Sequence, residues 1–169
     1  SVIDALAIAP EYLRNPASES GAAIDYRDWQ IPLGRRMRAL KLWFVLRHYG
    51  VEGLQAYIRE HMRIAGLFEE WVRADERFEV AAPRSITLIC FRLRPRPGEI
   101  AEQTDARNKA LLGAINATGR AFLSHTVLPI GGGDSPQRFV LRMAIGGART
   151  QERHVRAAWS LISGLAHNA

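Results

Sequence analysis

The sequence predicts an α+β fold, and three observations carry that prediction. Apolar residues recur at three- and four-residue steps over 35–48 and 51–75, two further segments read as helices, and four others read as strands. The segments run helix, helix, strand, strand, helix, strand, strand, helix, an order that favours helices layered on one face of a sheet. Hydrophobic residues make up 47% and charged residues 24% of a 169-residue chain, enough for one domain with a real core. No apolar run approaches the roughly 20 residues that cross a bilayer.

Taken in order, residues 10–21 (PEYLRNPASESG) are rich in Pro, Ser, Asn and Gly and read as a loop. Residues 35–48 place Met37, Leu40, Phe44 and Val45 at helical spacing, and Gly50 stops that helix. Residues 51–75 form the clearest helix, with Val51, Leu54, Ile58, Met62, Ala65, Phe68 and Val72 along one face. Trp43, Phe44, Phe68 and Trp71 all fall on apolar helix faces and read as core. Residues 78–81 and 85–93 read as strands separated at Pro83, the second with a buried centre. Pro95-Arg96-Pro97-Gly98 makes a turn into a helix over 99–118. Residues 121–128 and 138–145 read as strands joined by Gly131-Gly132-Gly133-Asp134. That loop lacks the G-x-x-x-x-G-K-[ST] pattern of a phosphate cradle, so it reads as a hairpin connection. A last helix spans 150–165, with Thr150 as its N-cap.

The net charge is +6, and only Lys41 and Lys109 are lysines, so the basic residues are almost all arginine. They are spread along the chain. Arg92, Arg94 and Arg96 alternate at strand spacing and are expected on a solvated face or sheet edge. A nucleic-acid surface would cluster its arginines among exposed aromatics. With the aromatics expected inside, the sequence gives no nucleic-acid site. The one cysteine, Cys90, excludes an intrachain disulfide and a Cys-based metal centre, and the five histidines lack ligand spacing such as H-x-x-x-H. Cys90 lies in an apolar run and reads as a buried, inert thiol, compatible with a reducing cytoplasm. The opening Ser1-Val2-Ile3-Asp4 has neither an initiator Met nor signal-peptide architecture, which suggests that sequence precedes it.

Residue patterns alone end at an α+β domain. The run Asp25-Tyr26-Arg27-Asp28-Trp29-Gln30-Ile31-Pro32-Leu33-Gly34-Arg35-Arg36 goes further. With Leu40-Lys41-Leu42-Trp43-Phe44-Val45-Leu46-Arg47 and Tyr49-Gly50-Val51, it closely resembles the C-terminal third of the aromatic amino acid decarboxylases. Pro10-Glu11-Tyr12-Leu13, Arg77-Phe78-Glu79, Cys90-Phe91-Arg92-Leu93 and Phe139-Val140-Leu141-Arg142 extend the resemblance over nearly the whole chain. It implies the aspartate-aminotransferase-like (fold type I) architecture, in which a large domain carries pyridoxal phosphate and a smaller C-terminal α+β domain packs on it. On that basis residues 1–40 finish the large domain and residues 41–169 form the small one. The implied partners are the N-terminal portion of the same enzyme, a second subunit sharing the active sites, and an amino acid substrate. Nucleic acid and membrane are not among them.

The resemblance also implies that this chain lacks the Schiff-base lysine. The family's lysine follows a histidine, whereas Lys41 follows Leu40 and Lys109 follows Asn108. Both are expected to face solvent on helices, so the cofactor lysine would lie upstream and the chain alone would be inactive. Tyr12 matches the tyrosine of the family's mobile loop. Once carbon dioxide has left, Cα needs a proton, and a phenol with a pKa near ~10 stays protonated at neutral pH and can donate it. Relatives that make aldehydes carry phenylalanine there, so Tyr12 favours plain decarboxylation over aldehyde synthesis. Gly34 is either a helix-start glycine or, as the resemblance implies, a residue against the substrate ring. In the second role it would tilt selectivity by about 1–3 kcal/mol toward indole or catechol rings. Arg142 matches an arginine near the substrate carboxylate, for which a guanidinium is a bidentate clamp, though a structural ion pair is an equal reading. Arg27 would steady the Tyr12 loop. A different class of reading, a non-catalytic basic α+β binding module, also stays open at this point.

Overall fold

The computed structural model describes Ala5, residues 16–22, Ile24, Tyr26, residues 36–130 and residues 136–167. The chain divides into two compact units, residues 1–50 and 51–169. Within the expected loop, Pro16–Glu19 forms a single helical turn, α1. The next helical span, α2 (Arg38–Ala74), is interrupted at Gly50. There φ is 64° and ψ 178°, a region that residues with a Cβ essentially do not occupy. The glycine thus breaks the helix, as expected.

In the first unit the helical stretch before Gly50 is apolar on every side. Trp43 is 53% and Phe44 57% exposed, and Leu40, Leu42, Val45 and Leu46 are exposed as well. This corrects the expectation that Trp43 and Phe44 are core. At 100° per residue these side chains surround the helix, so no single packing face could hide them all.

The second unit holds a four-stranded antiparallel sheet in the order β1-β2-β4-β3. Its strands are β1 (Phe78–Val80), β2 (Leu88–Leu93), β3 (Ser124–Pro129) and β4 (Gln137–Ala144). Helices α3 (Ala101–Ala117) and α4 (Glu152–Leu165) complete it. The core forms on one sheet face. Ile89, Phe91 and Leu93 from β2, with Phe139 and Leu141 from β4, meet Ile64, Phe68 and Val72 of α2, Leu111 and Ile115 of α3, and Val155 and Ile162 of α4. Phe68 sits edge-on to both Phe91 and Trp159, at 5.4 and 5.6 Å. The alternation of buried and facing-away residues follows from the strand repeat of two.

Two asparagines, Asn108 fully buried and Asn116 half-buried, extend this sheet where strands stop pairing. The β2–β4 ladder ends at Phe91↔Leu141. Two residues further along β2, the Leu93 N–H donates to Asn108 Oδ1 at 2.7 Å, and Asn108 Nδ2 donates to Leu93 O at 3.4 Å and to Thr104 O at 2.8 Å. The side-chain amide thus stands in for a strand peptide. Opposite it, the Phe139 N–H donates to the Asp105 carboxylate at 3.1 Å. Asn116 does the same for Leu123, through bonds of 2.9 and 3.0 Å. Sequence patterning placed strands over 85–93 and 121–128. Instead, residues 85–88 close a two-residue turn through a Ser85–Leu88 bridge, and Asn116 replaces strand pairing at Leu123.

Two further expectations are corrected here. Helix α4 is capped by Gln151, not Thr150. The Thr150 N–H is turned back to Gly147 O at 2.9 Å, one residue too early for a cap. Arg92 does not lie on a solvated face but is buried, 4% exposed, because Asp105 of α3 and Glu79 of β1 close over it. Arg94 and Arg96, past the end of β2, are exposed as expected. Strands β3 and β4 form the expected hairpin, while Gly131 to Asp134 lie outside the described residues. No helix among the described residues is long and apolar enough to cross a membrane.

Candidate functional site

The sheet face turned away from the helical core carries the polar chemistry of the second unit. Even-numbered residues of β4 project there, because Leu141 and Met143 point to the core. Val140 is buried on that face, with Arg138 and Arg142 on either side of it.

Arg138 belongs to a charge network. Its Nη2 donates to Ala81 O at 2.7 Å, and its Nη1 lies 3.5 Å from Glu79 Oε1. Glu79 is shared with Arg92, 3.7 Å away, and Arg92 also reaches Asp105 at 3.2 Å. Glu79, Arg92 and Arg138, with Glu99 and Thr104, line a pocket of about 300 Å³. Two arginines there face two glutamates, so the pocket is charge-balanced and offers no net pull on an ion. Periodicity could have flagged Arg92 and Arg138 as neighbours on one face, but not their acidic partners on β1 and α3.

Arg142 is different. It is half-buried and makes no hydrogen bond or ion pair with any described residue. Across the ladder it pairs with Cys90 on one side and Ser124 on the other. Burial pushes the Cys90 thiol above its ordinary value, and the neighbouring guanidinium offsets part of that rise. Cys90 is half-buried rather than fully buried, and a raised pKa keeps it a thiol at neutral pH. Of the two readings of Arg142, the structural ion pair has no carboxylate to serve it among the described residues.

Tyr12, Gly34 and Arg27 lie outside the described residues. Both lysines are on exposed helix positions, and Lys109 Nζ rests 5.7 Å from the centre of the Phe139 ring. Among the described residues there is no cluster of ligands for a metal ion.

Comparison with known proteins matches residues 1–94 to the pyridoxal-dependent decarboxylase conserved domain. Tyrosine decarboxylase 2 of Narcissus pseudonarcissus is 47% identical over 162 residues, covering 96% of this chain and 31% of that protein. Phenylacetaldehyde synthase of Arabidopsis thaliana is 48% identical over 158 residues, covering 94% and 31%. The crystal structure of Oryza sativa TDC with PLP and tryptamine superposes with a TM-score of 0.84 at 44% identity, covering 98% of this chain and 33% of that one. The chain therefore spans about a third of the length of the relatives it matches.

Proposed function

Because the chain belongs to the pyridoxal-dependent decarboxylase family, we propose that it is the C-terminal portion of an enzyme that decarboxylates an aromatic L-amino acid to its amine and carbon dioxide. The observation that carries this reading is the near-half identity, sustained over almost the whole chain, to a decarboxylase named for tyrosine. The uncommitted guanidinium of Arg142 supports it. In this reading residues 1–40 complete the large domain, residues 41–169 form the small domain, and the Schiff-base lysine and most of the pyridoxal-phosphate site belong to the N-terminal portion. The complete enzyme is a cytoplasmic homodimer with shared active sites.

Each residue of this chain then has a defined task. Arg142 holds the substrate carboxylate that is retained until cleavage. Gly34 leaves room for a bulky ring, and Arg27 steadies the loop. Tyr12 delivers a proton to Cα after carbon dioxide departs. Aldehyde synthases stand equally near by identity, and Tyr12 is the residue that argues for the amine product. The test is Tyr12→Phe in the complete enzyme. Losing a positioned proton donor slows the transfer by roughly 10²–10⁴-fold, which lets dioxygen compete. The product should shift from amine to aldehyde, with ammonia and peroxide released under air but not under nitrogen. Unchanged amine output without oxygen uptake would remove Tyr12 from this role.

A further inference from the structure

His61 is a buried titratable group with no part in the proposed reaction. It sits on α2 and is 4% exposed. Its Nδ1 lies 2.8 Å from Tyr57 O, one turn earlier on the same helix, and its Nε2 lies 3.2 Å from Gly147 O, 86 residues further along the chain. Both partners are backbone carbonyl oxygens, which accept hydrogen bonds and cannot donate them. A neutral imidazole carries one N–H and one bare nitrogen, whereas the imidazolium donates from both. The neutral ring therefore satisfies one contact and turns a lone pair toward the other oxygen. Only the protonated ring closes both.

The same stretch of chain is gripped from α2 a second time. The Tyr57 hydroxyl donates to Gly146 O at 2.5 Å, and the Tyr57 and His61 rings pack with centroids 4.2 Å apart. Gly146 and Gly147 lie just past the end of β4 and ahead of α4. On the β4 side the Ile145 N–H donates to Thr87 O at 3.2 Å, and on the α4 side the Thr150 N–H donates to Gly147 O at 2.9 Å. A Cβ at position 147 would come within 2.8 Å of Thr150 Oγ1, so glycine lets the turn close there. Around the contact, α2 carries Tyr57 and also Glu60, whose carboxyl is held below the usual range chiefly by Arg63 and in smaller part by the His61 charge. Helix α4 contributes Glu152, bound to Arg63 at 3.1 Å, and His154, whose Nδ1 receives the Gln151 N–H at 3.2 Å. The segment itself carries Arg149, which is exposed.

We infer that His61 is a proton-operated clasp between α2 and the turn at Gly146 and Gly147. With the ring protonated, both of its bonds form and the turn is pinned between the sheet and α4. Loss of the proton opens the longer bond, the one to Gly147, and leaves the Tyr57 hydroxyl to hold the segment. The doubly bonded state is the protonated one, so the clasp is closed at low pH and loosens as pH rises. His154 acts in the opposite sense, because its Nδ1 is an acceptor and acid removes that cap from α4. The clasp lies wholly within the second unit and is independent of the reaction proposed above.

The experiment is hydrogen exchange of the segment 145–151 in the complete enzyme, corrected for intrinsic exchange at each pH, from about pH 5 to 8, where histidine changes charge. His154→Gln removes the opposing cap and leaves His61 in place. In that variant, protection of the Thr150 amide should fall about tenfold as pH rises. Adding His61→Gln should flatten the profile at its high-pH level, because a glutamine amide does not titrate. Residues 137–144, held by the β4 ladder, should show no such dependence in either protein. A flat profile in His154→Gln overturns the clasp, and this arm decides the matter even where His61→Gln fails to fold. An equal fall with His61→Gln present also overturns it, since the titrating group would then lie elsewhere.

Discussion

Replacing Asn108 with alanine should cost far more stability than the same change at Asn116, although both amides perform the same task. Asn108 is fully buried. Its loss orphans the Leu93 N–H, now satisfied at 2.7 Å, and a buried unsatisfied donor costs about 1–3 kcal/mol. The Leu93 carbonyl loses a weaker bond of 3.4 Å, and truncation leaves a small void, so the sum is about 3 kcal/mol. Asn116 makes two good bonds to Leu123, at 2.9 and 3.0 Å, but is only half-buried. Water can take over there, and the loss should be about 1 kcal/mol. The difference of about 2 kcal/mol corresponds to roughly a thirtyfold change in the unfolding equilibrium. Urea denaturation followed by tryptophan fluorescence and far-ultraviolet dichroism would measure it, with equal m-values as the check that both variants start from the same fold. Equal losses at the two sites, or a larger one at Asn116, would refute the idea that Asn108 closes a dry end of the sheet.

Gly50→Ala and Gly66→Ala make a second pair, since an added Cβ meets nothing within 4 Å at either site. The first should destabilise by about 1–3 kcal/mol through backbone strain alone, and the second should stabilise by about 0.5–1 kcal/mol in its helix interior. Thermal melts of the two variants give the sign directly. Ile86→Gly relieves a left-handed β-branched residue and should raise the unfolding free energy by about 1 kcal/mol; a lower melting temperature would contradict the strain. Asp75 accepts two hydrogen bonds from the Arg77 guanidinium, at 2.9 and 2.6 Å, and these hold its carboxyl below the usual range. A depressed folded-state pKa means stability that is present above about pH 4 and lost as pH falls through the folded value. Arg77→Met should flatten that acid limb of a stability–pH curve, and an unchanged slope would mean the pair is not its source.

The order and type of the described elements in the second unit were legible in the sequence, because apolar spacing marks the helix after Gly50 and apolar runs bounded by Pro or Gly mark the strands. Gly50 as a helix break was equally legible, since only glycine takes the backbone angles found there. The family was readable too, from unbroken runs such as Asp25 to Arg36 and Phe139 to Arg142, which carry information beyond periodicity. Other features depended on partners distant in the chain. Arg92 reads as a surface residue until Glu79 and Asp105 close over it. The starts of β2 and β3 move because Ser85 turns back on Leu88 and Asn116 satisfies Leu123. Trp43 and Phe44 carry a core pattern but remain exposed, since periodicity shows that a face is apolar without saying what covers it. Likewise the alternation of β4 put Arg142 opposite Leu141. Only the pairing of three strands set it beside Cys90 and Ser124 with no carboxylate among its described neighbours, because a charge is left free or neutralised by residues that the fold, not the local sequence, brings near.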